Sequence, residues 1–219
     1  MQDASPDRSQ PEAAVLRGTN QSGMRDHNER LVLSLVRRHG ALAKSDIARM
    51  TAQTVSVIMR GLEQDGLLER GEPVRGRVGQ PSVPMSLAAE GAFFFGLKVG
   101  RRSADLVLTD FRGRMRAARR RVYRYPTPDA VVSFVSEAAP ALAGELPPGL
   151  RERITGMGIA MPFQLWNWVS VLGVPQDEMD AWRTRDIGVE LGAALGLPVY
   201  VQNDATSACG AELIFGTGE

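Results

Sequence analysis

The strongest constraint on the fold of this 219-residue chain is a stretch of helical periodicity that ends at a glycine and is followed by two short strands. Four apolar residues follow the i, i+3, i+4, i+7 spacing of one helix face: Val55, Ile58, Met59 and Leu62. The spacing predicts a helix from Ala52 to Asp65, with Thr51 as its N-cap and Gly66 as its stop.

The segments on either side of this helix complete a small motif. Periodicity predicts two preceding helices, over residues 25–39 and 44–50. Residues 67–74 and 82–88 read as short strands around a turn rich in Gly, Arg and Pro. Three small helices and a β-hairpin make a winged helix-turn-helix, because no element can bury its apolar face alone.

The pattern changes after about Ala89. Strands and helices then follow in the order strand 93–99, strand 103–109, strand 114–124, helix 128–142, strand 154–160, helix 186–195, strand 199–202 and helix 205–215. Three adjacent strands followed by alternating helix and strand predict an α/β layer structure. We therefore expect a flexible tail over residues 1–20, a winged helix-turn-helix over 21–88 and an α/β domain over 89–219.

Composition narrows the class of protein. Hydrophobic residues make up 43% of the chain and charged residues 23%, which excludes wholesale disorder. There is neither a secretory signal nor a run of 18 apolar residues, so no membrane partner is expected. The single cysteine, Cys209, excludes an internal disulfide and favours a cytoplasmic location.

Charge is unevenly distributed. Residues 17–84 hold 11 Lys/Arg against 7 Asp/Glu, and residues 98–124 hold 10 against 2. Residues 125–219 reverse the balance, with 4 against 12. Contact with a polyanion is therefore more plausible in the front half of the chain.

The predicted third helix carries the candidate DNA contacts. If it lies in a major groove, Thr51, Gln53, Thr54 and Ser56 can reach base edges, and Arg60 can reach phosphate. The alternative is that these polar groups only solvate the outer face of a small domain.

Arginines supply a second set of candidates. Arg75 and Arg77 flank a glycine at the hairpin tip, where two guanidiniums can enter a narrow minor groove, although a solvated turn is the alternative. The basic run over residues 116–124 is either a DNA-backbone patch or, as we favour, an edge strand protected by charge.

Asn203 and Asp204 follow a predicted strand and open a helix. Ligands gather at such strand ends in open α/β sheets, and an aspartate there can accept a hydrogen bond from a sugar hydroxyl or act as a general base. Capping of the last helix is the alternative. Phe163, Trp166 and Trp168 can form a platform for a sugar ring, although core packing is the more frequent use of such aromatic residues.

These segments together resemble the ROK family, and specifically its transcriptional regulators. The similarity is carried by SDIARM, TVSVIMRGLEQDGLL, GRVGQPSVPMSL, FFFGLKVG, LVLTDFRGR, MGIAMP and VYVQNDATSACGAELIFG. The resemblance implies a winged helix-turn-helix joined to the first lobe of an actin-like, ribonuclease-H-like fold. It further implies a DNA-binding repressor or activator that responds to a sugar or sugar derivative, and of the two we favour a repressor. We expect a homodimer or larger oligomer, because two DNA-binding units would read a two-fold operator.

The chain departs from the family pattern in four places. Lys98 stands near the position of the acid in the kinases' phosphate loop, which disfavours ATP chemistry although Asp204 matches the kinase base. Phe163 replaces the usual glycine after Pro162. The predicted bounds leave almost no room for a turn between the second and third helices, so we expect missing residues or a distorted turn. The family's remaining sugar ligands, its zinc site and its second lobe are expected beyond residue 219, so no metal or other cofactor is expected in this segment.

The leading hypothesis is thus a DNA-binding transcriptional regulator that is not an enzyme. A sugar kinase with Asp204 as the catalytic base is the first alternative. A protein-interaction module with a vestigial winged helix is the second.

Overall fold

The computed structural model describes residues 21–52, 55–74, 82–169 and 173–216. The first elements form what we call the helical unit: α1 (Gln21–His39), β1 (Leu42–Ala43), α2 (Lys44–Thr51), α3 (Ser56–Gln64), β2 (Leu68–Arg70) and β3 (Pro84–Leu87). The remaining elements form the sheet unit: β4 (Phe93–Val99), β5 (Ser103–Asp110), β6 (Met115–Val122), α4 (Pro128–Gly144), α5 (Pro148–Arg151), β7 (Ile154–Met161), α6 (Gln176–Thr184), α7 (Ile187–Leu195), β8 (Val199–Asn203) and α8 (Asp204–Phe215).

The helical unit packs three helices against a small antiparallel sheet of order β1-β3-β2. Val32 and Val36 of α1, Ile47 of α2 and Met59 of α3 meet in its core, each no more than 2% exposed. Each helix buries only one stripe, so the core exists only when all three are present.

The sheet unit is built on five strands in the order β6-β5-β4-β7-β8. The β4–β5–β6 meander is antiparallel, whereas β4, β7 and β8 run parallel to one another. Alternate residues of β5 are fully buried under α4, as the period of a half-covered strand requires. The predicted start of α4 is confirmed, because the Thr127 hydroxyl accepts a hydrogen bond from the Ala130 amide at 3.2 Å.

Two arginines, the interunit arginines, join the two units. Arg37 of α1 donates to the carbonyl of Phe111 at 3.1 Å, in the β5–β6 turn. From the same turn, Arg112 donates to the carbonyl of Leu87 at 2.7 Å and pairs with Glu69 at 2.6 Å. Arg153 donates to the carbonyl of Gly91 at 3.2 Å, within the sheet unit just before β4. Cationic donors thus satisfy backbone carbonyls where the units meet.

Candidate nucleic-acid interface and ligand cleft

The turn before α3 corrects the sequence prediction. Thr51 is not the N-cap of the third helix: it is the last residue of α2, and its hydroxyl donates to the Ile47 carbonyl at 2.9 Å. α3 begins at Ser56, four residues later than predicted, so four residues separate it from the end of α2, which is the number that the turn of this motif needs. The shortage of turn residues arose because the periodic pattern was extended through the turn.

Ala52 closes α2 in the left-handed conformation, with φ 54° and ψ 28°. Glycine is the usual residue at this position of a helix end, because a side chain there costs on the order of 1 kcal/mol. The turn therefore holds backbone strain beside the helix that is the candidate for groove insertion.

The predicted inner face of α3 is confirmed. Val55, Met59 and Leu62 are at most 2% exposed, and Ile58 is half-buried against the same core. This anchoring leaves Ser56 and Arg60 exposed on the other side. Two polar candidates therefore lie on the outer surface of a firmly packed helix, as base or phosphate contacts require.

Sequence reasoning passed over one residue of this outer face. The side chain of Val57 is 79% exposed. The signal was available, because a position two residues before Met59 and two after Val55 lies opposite the apolar stripe at 100° per residue.

The hairpin that follows α3 is present. β2 pairs with β3 in antiparallel fashion, and a further bridge joins Val74 to Ser82. Its tip, residues 75–81, lies outside the described residues, as do residues 53 and 54. The predicted contacts of Arg75, Arg77, Gln53 and Thr54 are therefore still predictions.

An ion pair ties α3 to the hairpin. Arg70 of β2 donates to both carboxylate oxygens of Glu63, one of them at 3.0 Å. This hydrogen bonding lowers the pKa of Glu63. The candidate recognition helix and the wing strand are thus joined by charge as well as by the core.

The basic run lies on β6, an edge strand of the sheet, as the favoured reading expected. Four of its five arginines are paired with carboxylates of the sheet unit: Arg116 with Asp110, Arg119 with Glu145, Arg120 with Asp105 and Arg121 with Glu137. Much of the local excess of positive charge is therefore balanced within the unit.

A cleft of about 470 Å³ opens at the carboxyl ends of the parallel strands β7 and β8. Met161 and Val201 line it, and Asn203 is the strand partner of Met161. The Asn203 side chain accepts hydrogen bonds from the amides of Ala205 and Thr206 at 3.0 and 3.3 Å, so Asn203 caps α8. Asp204 is half-buried in the first turn of that helix. Asn203 and Asp204 therefore lie at the same edge of the sheet as the cleft, but neither is among the residues that line it.

Aromatic residues and neutralised arginines form the other wall of the cleft. Phe163 is 55% exposed, and Trp166 lies under the guanidinium of Arg183 at 5.2 Å. Arg185 pairs with Glu190 at 2.6 Å and with Asp129 at 2.8 Å, which raises the pKa of Arg185 and lowers that of Glu190. The cleft thus offers ring faces, with its arginine charge already compensated.

Cationic side chains lie at the end of β4 and in the turn that follows it. Lys98 is exposed near the end of β4, and Arg101 of the following turn lies 5.7 Å from the ring of Trp168. Among the described residues, no group of three or more His, Cys, Asp or Glu side chains is placed to hold a metal ion. In the same ranges, no helix has both the length and the hydropathy for crossing a membrane.

Comparison with curated proteins finds regulators. The chain is 29% identical over 191 residues to Transcriptional regulator Mb0495 of Mycobacterium bovis, and the match covers 84% of this chain and 42% of that protein. It is 25% identical over 194 residues to Uncharacterized protein y4fQ of Sinorhizobium fredii, covering 86% of this chain and 48% of that one. The chain thus spans less than half the length of these relatives. No family model matches it.

Comparison with solved structures gives the fold. A ROK family transcriptional regulator described as a homolog of the E. coli MLC protein superposes with a TM-score of 0.61, at 21% identity, over 88% of this chain and 49% of that one. The predicted architecture, a winged helix-turn-helix followed by an α/β lobe, is confirmed.

Proposed function

We propose that this chain is a sequence-specific DNA-binding transcriptional regulator, acting in the cytoplasm as a repressor, whose sheet unit binds a sugar. The observation that carries the proposal is α3, whose inner face is locked into a core while Ser56 and Arg60 face outward beside a hairpin. The regulator names and the shared fold of the relatives support it.

In this proposal residues 21–88 bind DNA and residues 89–219 bind the effector. α3 enters the major groove, and Arg75 and Arg77 of the wing approach the minor groove or the backbone. A dimer would place two such helices on a two-fold operator. Sugar binding alters DNA affinity only if the sugar binds one of two states of the protein more tightly.

The cleft supports a neutral sugar as the effector. The exposed ring of Phe163 suits the apolar face of a pyranose, and Asp204, at the same edge of the sheet, can accept hydrogen bonds from hydroxyl groups. An anionic ligand finds less support, because Glu190 and Asp129 already compensate Arg185.

Binding to DNA is tested by selection from a pool of random duplexes, followed by gel shifts over a range of salt concentrations. Replacing Arg75 and Arg77 by alanine should weaken binding and reduce the salt slope by about two, since two phosphate contacts are lost. The matched control replaces Arg114 and Arg124, two exposed arginines that flank β6. An equal change in both double variants would contradict the wing assignment, and failure to select any duplex would overturn the proposal.

The effector site is tested by calorimetric titration of the protein with neutral hexoses and pentoses. We expect Asp204→Asn to weaken binding about tenfold or more, because a charged acceptor is lost. Sugar-dependent ATP turnover in a coupled assay would instead establish the kinase alternative.

A further inference from the structure

The outer face of α3 presents an apolar group where solvent contact alone would favour a polar one. Val57 is 79% exposed and lies in the first turn of the helix, directly after Ser56 and three residues before Arg60. Among the described residues of the helical unit, none packs in a way that requires a valine there, because Val55, Met59 and Leu62 already fill the inner face.

A glycine and a guanidinium lie beside Val57. Gly61 is one helical turn further on and has no side chain, and a guanidinium nitrogen of Arg25 lies 3.4 Å from the point where its Cβ would stand. Met24 of α1, 59% exposed, lies with Val57 along a shallow groove that Arg25 and Arg60 also line. An apolar patch bordered by two guanidiniums faces outward from the helix.

This combination matches the chemistry of the major groove. Thymine is the DNA base that presents a methyl group there, and small apolar side chains recognise it by contact. The first turn of a recognition helix is the part that reaches base edges. A valine side chain has the size and the apolar surface for such a contact, and Arg60 can hold the adjacent phosphate.

We infer that Val57 reads thymine, through contact between its γ-methyl groups and the C5 methyl of a base in the major groove. This inference rests on the proposed function, since it assigns a specificity-determining residue to the same DNA interface. It predicts that each operator half-site contains a thymine whose methyl group contributes to affinity.

The test uses the duplex that the full chain selects from the random pool. Each thymine of that duplex is replaced in turn by deoxyuridine, which removes the methyl group and keeps every hydrogen-bonding atom of the base. We expect one position per half-site where this substitution weakens wild-type binding about fourfold, the value of one buried methyl group. Val57→Ala should weaken binding to the thymine duplex by a similar factor. The variant should bind the thymine duplex and the duplex with deoxyuridine at that position with equal affinity.

The control variant is Val189→Ala, which shortens another exposed helical valine, 68% exposed, in the sheet unit. It should keep the full fourfold preference for thymine. If the wild-type protein selects a duplex but tolerates deoxyuridine at every position, the inference fails and the proposed function stands. If Val57→Ala loses equal affinity for both duplexes, or changes the oligomeric state, then Val57 serves packing or contact with a second copy. If no duplex is selected, the proposed function has failed.

Discussion

The cores of the two units differ in how completely each is supplied by its own segment. In the described part of the sheet unit, buried side chains from β4, β5, β7, α4 and α7 form one continuous cluster. The cluster of the helical unit is smaller, and it includes Ala92 and Phe111, which belong to the segment of the sheet unit. The core of the sheet unit thus consists of residues from its own segment, whereas the core of the helical unit includes residues from the sheet unit.

Phe111, one of these residues from the sheet unit, shows what this difference means. It lies in the β5–β6 turn, it is 9% exposed, and Arg37 of α1 lies 5.7 Å from its ring centroid. A small core gains little from burial alone, so each missing side chain removes a larger share of its stability. We therefore expect the helical unit to depend on the sheet unit, and not the reverse.

The largest predicted effect comes from truncating two matched phenylalanines. Phe111→Ala and Phe134→Ala each remove a buried ring with an arginine over it, so each should cost about 3 kcal/mol. Hydrogen exchange should show Phe111→Ala loosening α1 and α3, and Phe134→Ala loosening α4 and β5. If Phe111→Ala loosened only the sheet unit, the dependence argued above would be wrong.

Truncating an interunit arginine should give the next largest loss of stability. Arg112→Ala removes the hydrogen bond to the Leu87 carbonyl and the pair with Glu69, and should cost about 1–2 kcal/mol in urea unfolding. Arg114→Ala is the control, because among the described residues its side chain has no hydrogen-bond partner; it should change stability by less than about 0.5 kcal/mol. Equal losses would show that charge near the turn matters more than these particular bonds.

A smaller effect of opposite sign is expected at the turn before α3. Ala52→Gly should stabilise the helical unit by about 1 kcal/mol, because glycine adopts a positive φ without strain. Ala193→Gly, in the exposed interior of α7, should destabilise the sheet unit by a similar amount. Thermal unfolding distinguishes the two, and a loss of stability in Ala52→Gly would contradict the strain assigned to this turn.

The smallest predicted effect is a pH dependence of the stability of the helical unit. Because Arg70 lowers the pKa of Glu63 in the folded state, this pair stabilises the fold above the unfolded pKa of about 4.3. The contribution is lost as the pH falls through the lowered folded pKa. The gap in stability between the wild type and Glu63→Gln should therefore be widest near neutral pH and close in acid. A gap that is independent of pH would assign the effect to packing.

Much of the fold could be predicted from the sequence because local signals agreed with tertiary packing. The apolar spacing of Val55, Met59 and Leu62, the Thr127-Pro128 start of α4 and the turns between the meander strands all carried direct information. The start of α3 was mistaken because Thr51 is a good capping residue in either setting. Only the three-dimensional structure shows that its hydroxyl donates a hydrogen bond to the carbonyl of Ile47 within α2.

The candidate site was harder to predict from the sequence than the fold. Ser56 and Arg60 could be found because polar residues on the outer face of a helix are conspicuous. Val57 was missed because a valine suggests core until its neighbours' burial is known. Arg185 pairs with Glu190 and also with Asp129, which is far away in the chain, and no local sequence pattern predicts such a pairing.

The stacking of Arg37 between the rings of Phe111 and Phe215, 5.7 Å from each centroid, has a consequence for the effector itself. α8 starts at the proposed sugar contact Asp204 and ends at Phe215, so a single helix runs from the edge of the sheet to Arg37 of α1. Energetic linkage between two binding sites is reciprocal. If sugar binding weakens the affinity for the operator, then a bound operator must weaken the affinity for sugar by the same factor. The sugar concentration at which the regulator responds would therefore depend on whether its operator is occupied.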